Sequence, residues 1–233
     1  GLRGGKMKKI YLLSGPSKKE GFSKELSQAL KVDLKSAKSI AFIASSPMDH
    51  DKNLKFVYGS KEAVGIINHL KEIHIFEQVN IIDDLNKNQD VISNSDVVYL
   101  LGGNYKTQLD FIRKNGFDKT LKEYNGIILC TSCGAMNIAK KGYYSKDEDL
   151  CDSFFYDGIG LIDITIDPHF DIKNQEQVNE AKKMSFSHVI YGLPNDAGIK
   201  ITNDDVKIIG NIYVFKDGNM KVANKNITKK TRV

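Results

Sequence analysis

Short unbroken apolar runs alternate along this chain with segments whose apolar residues recur at helical spacing. Residues 9–14, 39–44 (SIAFIA), 96–101 (DVVYLL) and 126–130 (GIILC) each hold a continuous apolar run bounded by polar or turn residues. Strands buried on both faces of a parallel sheet have this pattern. Between them, residues 23–34, 61–70, 105–113 and 117–123 predict helices, as Leu26, Ala29 and Leu30 do for the first. Residues 73–76 and 79–82 read as strand-like. The alternation predicts an α/β fold, a mainly parallel sheet flanked by helices. Later, residues 131–140 predict a sharp turn and a helix, followed by a loop rich in Asp and Tyr. Residues 160–166 predict a strand ending at Asp167-Pro168-His169-Phe170, and 175–184 a helix. From residue 189 the pattern becomes short strands, a β-rich C-terminal part. Its clearest turn is Lys216-Asp217-Gly218-Asn219, where Asp-Gly predicts a hairpin.

Repeats and linkers are absent, so residues 7–233 are expected to form a single domain. Residues 1–6 precede Met7, a natural-looking start, and read as an expression remnant. With 233 residues and 41% apolar content, the chain can build a sizeable core. No run approaches the roughly 18 apolar residues of a membrane span. Residues 8–15 are too short in their apolar part for a signal peptide. The net charge of +5 gathers in the tail, where Lys216, Lys221, Lys225, Lys229, Lys230 and Arg232 face only Asp217. Without interleaved aromatics this reads as solvated surface, not as a nucleic-acid site. Three cysteines, Cys130, Cys133 and Cys151, argue against a disulfide framework and for the reducing cytoplasm. Cys130 and Cys133 form a C-x-x-C, but no second pair stands at zinc-site spacing. No metal and no cofactor are expected.

The most informative stretch is Ile128-Leu129-Cys130-Thr131-Ser132-Cys133-Gly134-Ala135. A buried strand, a sharp turn and a helix follow one another without a loop. In hydrolases this geometry exposes a nucleophile at the carboxyl end of the sheet. The turn is crowded, so positions two before and two after the nucleophile must be small. For Ser132 these are Cys130 and Gly134, which fit. For Cys133 they are Thr131 and Ala135, which fit less well. On this stretch alone, a nucleophile and an ordinary N-cap are equally good readings of Ser132. A hydroxyl nucleophile also needs a base and oxyanion donors. The N–H of Cys133 is one candidate donor, and Gly102-Gly103-Asn104, after a neighbouring strand, offers another.

Taken together, these residues resemble the family of peptidase E (aspartyl dipeptidase) and cyanophycinase, whose fold is similar to class I glutamine amidotransferases and flavodoxin-like proteins. The family pattern has Gly-Gly-Asn after a strand, a Ser-Ala-Gly-Ala elbow and a later Pro-His-Phe or Pro-His-Tyr. Here these stand as Gly102-Gly103-Asn104, Ser132-Cys133-Gly134-Ala135 and Pro168-His169-Phe170, in the same order. Asp157-Gly158-Ile159-Gly160-Leu161 and Gly192-Leu193-Pro194 extend the likeness, which spans roughly Met7 to Ile201. The resemblance implies Ser132 as nucleophile, His169 as general base and the N–H groups of Gly103 and Cys133 as oxyanion hole. It also places Asn104 and Gln175 at the substrate. A short peptide or related amide is the implied substrate, with no nucleic-acid or membrane partner and a homodimer left open.

The orienting member of the triad has three candidates. Asp147 lies 15 residues past Ser132. Asn195 stands where the family carries an acid after Gly-Leu-Pro, and Asp196 is next. Where the dipeptidase subgroup carries an Arg after the His, this chain has Asn174-Gln175-Glu176, and no Arg lies between Arg113 and Arg232. Lys cannot reproduce a bidentate Arg clamp, so specificity for N-terminal Asp is not expected. Two other readings stay open: a cysteine amidotransferase-like enzyme using Cys133, and a non-catalytic binding protein on the same fold.

Overall fold

The computed structural model describes residues 7–146, 152–224 and 227–228. The chain begins β1 (Lys9–Leu13), α1 (Lys24–Leu34), β2 (Ser39–Ile43), α2 (His50–Tyr58), α3 (Ile66–Lys71) and β3 (Gln78–Ile82). It continues α4 (Gln89–Asn94), β4 (Val97–Leu100), α5 (Tyr105–Lys114), α6 (Phe117–Glu123), β5 (Ile127–Thr131) and α7 (Cys133–Asn137). Next come β6 (Lys141–Tyr144), β7 (Phe154–Asp157), β8 (Ile166–Pro168), α8 (Gln175–Met184) and β9 (Ile190–Leu193). The chain closes with β10 (Gly198–Thr202), β11 (Asp205–Ile209), β12 (Ile212–Lys216), β13 (Asn219–Ala223) and β14 (Ile227–Thr228).

The main sheet runs β14-β11-β10-β1-β5-β4-β2-β3. Strands β1, β5, β4, β2 and β3 pair in parallel, whereas β10, β11 and β14 join antiparallel on the other side of β1. A second sheet has the order β13-β12-β9-β8, and β6 pairs with β7 alone. The apolar runs are unbroken because both faces of the parallel strands are covered. Ile10, Leu12, Ile128 and Cys130 pack into one layer, and Tyr11, Leu13 and Leu129 into the other. Each fully buried aliphatic side chain contributes about 1.5–3 kcal/mol. Among the described residues, no helix is long and apolar enough to cross a membrane.

Several elements differ from the expectation. Residues 73–76 are not a strand: the N–H groups of Ile73 and His74 bond to Leu70 O, winding off the end of α3. That helix starts only at Ile66, because Gly65 packs against Gly59, where a Cβ would lie 2.3 Å from a backbone nitrogen. The loop rich in Asp and Tyr contains β6 and β7, whose Tyr144 and Phe154 rings stack at 5.1 Å. The expected strand over 160–166 is irregular until Ile166. Its amides and carbonyls are taken by the exit of α7, through Leu161 N to Ile138 O and Lys140 N to Ile162 O. The helix after the elbow therefore ends at Asn137, short of Lys140. The hairpin at Asp217-Gly218 forms as expected, with φ of 50° and 80° at its two central residues.

Candidate active site

At the carboxyl edge of the parallel strands, β5 turns into α7 through Ser132, whose φ is 52° and ψ −115°. A non-glycine residue held at positive φ costs on the order of 1–3 kcal/mol and persists only where its surroundings dictate it. Ser132 N donates to Leu13 O at 2.9 Å, and the N–H groups of Ala135 and Met136 bond back to Ser132 O. The turn is as crowded as the sequence predicts. A Cβ on Gly134 would sit 2.5 Å from Leu100 O and 2.7 Å from Leu100 Cβ. The hydroxyl does not cap α7. It lies 3.1 Å from Nε2 of His169 instead.

His169 follows β8 and also has positive φ, 55°. Its backbone N–H donates to Ser14 Oγ at 2.9 Å, while the Ser14 hydroxyl donates to Leu193 O at 2.7 Å. Ser14 is thus a buried tie between the ends of β1, β8 and β9. Phe170 anchors the same turn: its ring packs on Tyr213 and Phe215, and only a glycine at position 192 leaves room for it. On the other side of the imidazole, Nδ1 lies 2.6 Å from Oδ1 of Asn195.

Asn195 and Asp196 are the central residues of a turn closed by Ala197 N to Pro194 O at 3.2 Å. The turn sends its two side chains in different directions. Asn195 reaches His169. Asp196 instead lines a separate cleft with Ser23, Lys24 and Gly210, and no hydrogen bond links it to His169 among the described residues. Of the candidates left open for orienting His169, Asn195 is the one within hydrogen-bond distance among the described residues, and Asp196 is not. Asp147 lies outside the described residues.

Gly102 and Gly103 form the facing wall. A Cβ on Gly102 would lie 3.2 Å from Ser132 Cβ, and one on Gly103, at φ 128°, would lie 2.2 Å from Ser45 Oγ. Ser45 pins this loop by donating to Gly102 O at 2.6 Å. Among the described residues, the N–H groups of Gly103 and Cys133 have no acceptor. Asn104 is occupied as the cap of α5, its Oδ1 accepting from the N–H groups of Lys106 and Thr107. Gln175 opens α8 on the surface and donates to Asn179 Oδ1 at 2.8 Å.

The Cys133 thiol turns inward, 3.4 Å from Leu101 O, and is 3% exposed. Burial pushes it up to about 12, far from the depressed value of a reactive thiolate. Cys130, within β5, is likewise buried and raised. Beside His169 opens a cleft of about 650 Å3 that reaches Lys146, Asp167, Glu176 and Glu180. Sequence reasoning missed Ser14, whose signal was a polar residue closing the buried apolar run of β1.

Two solved structures are similar across nearly the whole chain. A peptidase from an acI-B1 Actinobacterium superposes with a TM-score of 0.62 at 11% identity, covering 95% of this chain and 97% of its own. A protein provisionally named peptidase E from Listeria monocytogenes EGD-e superposes with a TM-score of 0.59 at 18% identity, covering 87% and 98%. At such identities the likeness establishes the fold, a large mostly parallel sheet flanked by helices with antiparallel strands added at the C-terminal side. Among curated proteins no match is found. The model of peptidase family S51 matches residues 10–209, and the chain belongs to that family of serine peptidases.

Proposed function

We propose that this chain hydrolyses short peptides or related amide bonds through an acyl-enzyme on Ser132, with His169 as general base. The observation that carries this reading is the relay Ser132 Oγ to His169 Nε2 at 3.1 Å and His169 Nδ1 to Asn195 Oδ1 at 2.6 Å. A carbonyl oxygen can only accept, so Asn195 Oδ1 holds the proton on Nδ1 and leaves the Nε2 lone pair facing the serine hydroxyl. As Oγ attacks the substrate carbonyl carbon, its proton passes to Nε2. The negative charge on the carbonyl oxygen falls to the N–H groups of Gly103 and Cys133, an arrangement worth about 10²–10³ in rate per donor. The imidazolium then returns its proton to the leaving amine, and a water repeats the sequence on the ester.

Asn195 orients the ring as a carboxylate does but adds no charge to stabilise imidazolium. Specificity for N-terminal Asp is not part of the proposal. Arg113 is committed to the carbonyls of Asp157 and Gly158 at 2.7 and 3.1 Å, and Gln175 brings no positive charge to α8. Nucleophilic attack by Cys133 is disfavoured by its inward, protonated thiol. The buried thiols of Cys130 and Cys133 are free and fit a reducing compartment, so the cytoplasm is the proposed location.

Turnover of a mixed short-peptide library tests the reading. Wild type is expected to cleave members of the library. Ser132→Ala is expected to lose at least about 10³-fold in rate. Cys133→Ala, which keeps the backbone N–H, is expected to remain active. Loss of activity in Cys133→Ala with retention in Ser132→Ala would transfer the chemistry to the thiol.

A further inference from the structure

The N–H of Gly103 belongs to the peptide that joins it to Gly102. A trans peptide is planar, so its N–H points opposite to its carbonyl. Whatever holds the Gly102 carbonyl therefore decides where the Gly103 N–H is aimed. Gly102 O accepts from Ser45 Oγ at 2.6 Å, and because a carbonyl can only accept, the hydroxyl is the donor. Ser45 follows β2, and in the sheet β4 lies between β2 and β5. A Gly102 carbonyl drawn to the β2 side turns the Gly103 N–H to the β5 side, where Ser132 stands. Gly102 borders Ser132 closely, since a Cβ added to it would lie 3.2 Å from Ser132 Cβ.

The backbone on either side of this peptide is held independently. Leu101 O accepts from Nε2 of the fully buried Gln108 at 2.8 Å. Asn137 Nδ2 donates to Gln108 Oε1 at 3.1 Å and to Tyr105 O at 2.9 Å, and Tyr156 donates to Asn137 Oδ1 at 2.7 Å. The carbonyls of Leu101 and Tyr105 fix which way both amides face. Downstream, the Asn104 side chain is tied into the first turn of α5. Between these anchors stands a glycine pair, with Gly103 at φ 128°. Neither glycine has a Cβ to forbid the turned orientation of the peptide between them. Its direction depends on Ser45, which is 0% exposed and whose own carbonyl accepts from Thr107 Oγ1.

We propose that Ser45 is a positioning residue for the hydrolysis, its hydroxyl latching the Gly102–Gly103 peptide with the N–H toward Ser132. The inference rests on the hydrolase reading, since it takes that N–H as an oxyanion donor. Without the latch the peptide turns, and the hole loses one of its two donors. The turned carbonyl comes to the Ser132 side, where the Cys133 N–H has no other acceptor among the described residues. The loop's own oxygen then competes for the place of the substrate oxyanion. The hydrogen bonds from His169 to Ser132 and Asn195 are not part of this change.

Steady-state kinetics of Ser45→Ala and Ser45→Thr on a peptide that wild type cleaves, together with crystal structures of wild type and Ser45→Ala, test the latch. Ser45→Ala is expected to lower kcat by about tenfold or more, up to the roughly 10²–10³ of a lost oxyanion donor. KM should stay within about twofold, because the hole favours the oxyanion over the ground-state carbonyl. The pH–rate profile should keep its acidic limb, since the surroundings of the imidazole are unchanged. Ser45→Thr restores the hydroxyl and is expected to return kcat to within about threefold of wild type. In crystals of Ser45→Ala the Gly102 carbonyl is expected to be turned in some or all molecules. The proposal is overturned if Ser45→Ala keeps kcat within about twofold, or if Ser45→Thr loses as much as Ser45→Ala. It is equally overturned if the Gly102 carbonyl keeps its wild-type direction in Ser45→Ala. The crystal structures need no turnover, so they decide the latch whether or not the hydrolase reading holds. Failure of that reading is separately visible, as a wild-type Ser132 that no fluorophosphonate modifies.

Discussion

Asn195 sits where a carboxylate would both orient the catalytic imidazole and stabilise its charge. At 2.6 Å from Nδ1 it can do only the first. Asn195→Asp adds the missing charge, and a carboxylate at this place is worth up to about 10⁴ in rate in other serine peptidases. The variant is expected to raise kcat by about tenfold or more. An adjacent carboxylate favours imidazolium, so the acidic limb of the pH–rate profile should move to higher pH. Asn195→Ala, which frees the ring, is expected to lower kcat by about tenfold with a smaller change in KM. Steady-state kinetics from pH 5 to pH 9 check both, and unchanged profiles would remove Asn195 from the proposed relay. At this scale the sequence was informative where several signals met on one residue. Ser132 and His169 each combine a small or rigid neighbour with a strand end, and the structure brings their side chains together. The choice between Asn195 and Asp196 was not legible, because consecutive residues of a turn point in different directions that spacing does not encode.

Elements hold these residues through close backbone approach. Helix α7 crosses β4 at Gly134, where any Cβ would collide with Leu100 O at 2.5 Å. Gly134→Ala is expected to cost about 1–3 kcal/mol of stability through overpacking. It should also slow phosphonate labelling of the protein at temperatures where the variant is fully folded, since moving α7 moves Ser132 and the Cys133 N–H. Thermal melts and labelling rates on one sample check the pair of effects. An unchanged melt would mean that the contact at Leu100 is looser than its geometry. The buried strands β1, β2, β4 and β5 were readable because burial on both faces leaves an unbroken apolar run. The helix α2 and the hairpin β6–β7 were not. Helix α2 buries only Asn53 and Val57, too few positions to mark a period. The hairpin hides its aromatic residues among Asp and Lys. The segment before His169 misled for another reason: its apolar residues are core, but their backbone bonds go to the exit of α7 and not to a ladder.

For the molecule as a whole, the buried carboxyl of Asp167 has a thermodynamic signature. An Asp side chain titrates near 4 in the unfolded chain, and burial raises Asp167 to about 7 in the folded one. Between those values the folded state holds a proton that the unfolded state has released. Stability therefore falls as pH rises from about 4 to about 7 and levels off above. Asp167→Asn removes this titration. Its stability should match wild type near pH 4 and exceed it at pH 8, by up to about 4 kcal/mol. Urea denaturation at the two pH values measures the difference, and a wild-type advantage at pH 8 would show that the carboxylate has a partner in the folded state. Activation of Ser132 by His169 underlies every step of the proposed hydrolysis. Its most direct test is mass spectrometry of the full chain after reaction with a fluorophosphonate. One phosphonyl adduct is predicted, on the peptide containing Ser132, absent from Ser132→Ala and slowed about 10²-fold or more in His169→Ala. An adduct that persists in Ser132→Ala, or no adduct on the wild-type protein, would contradict it.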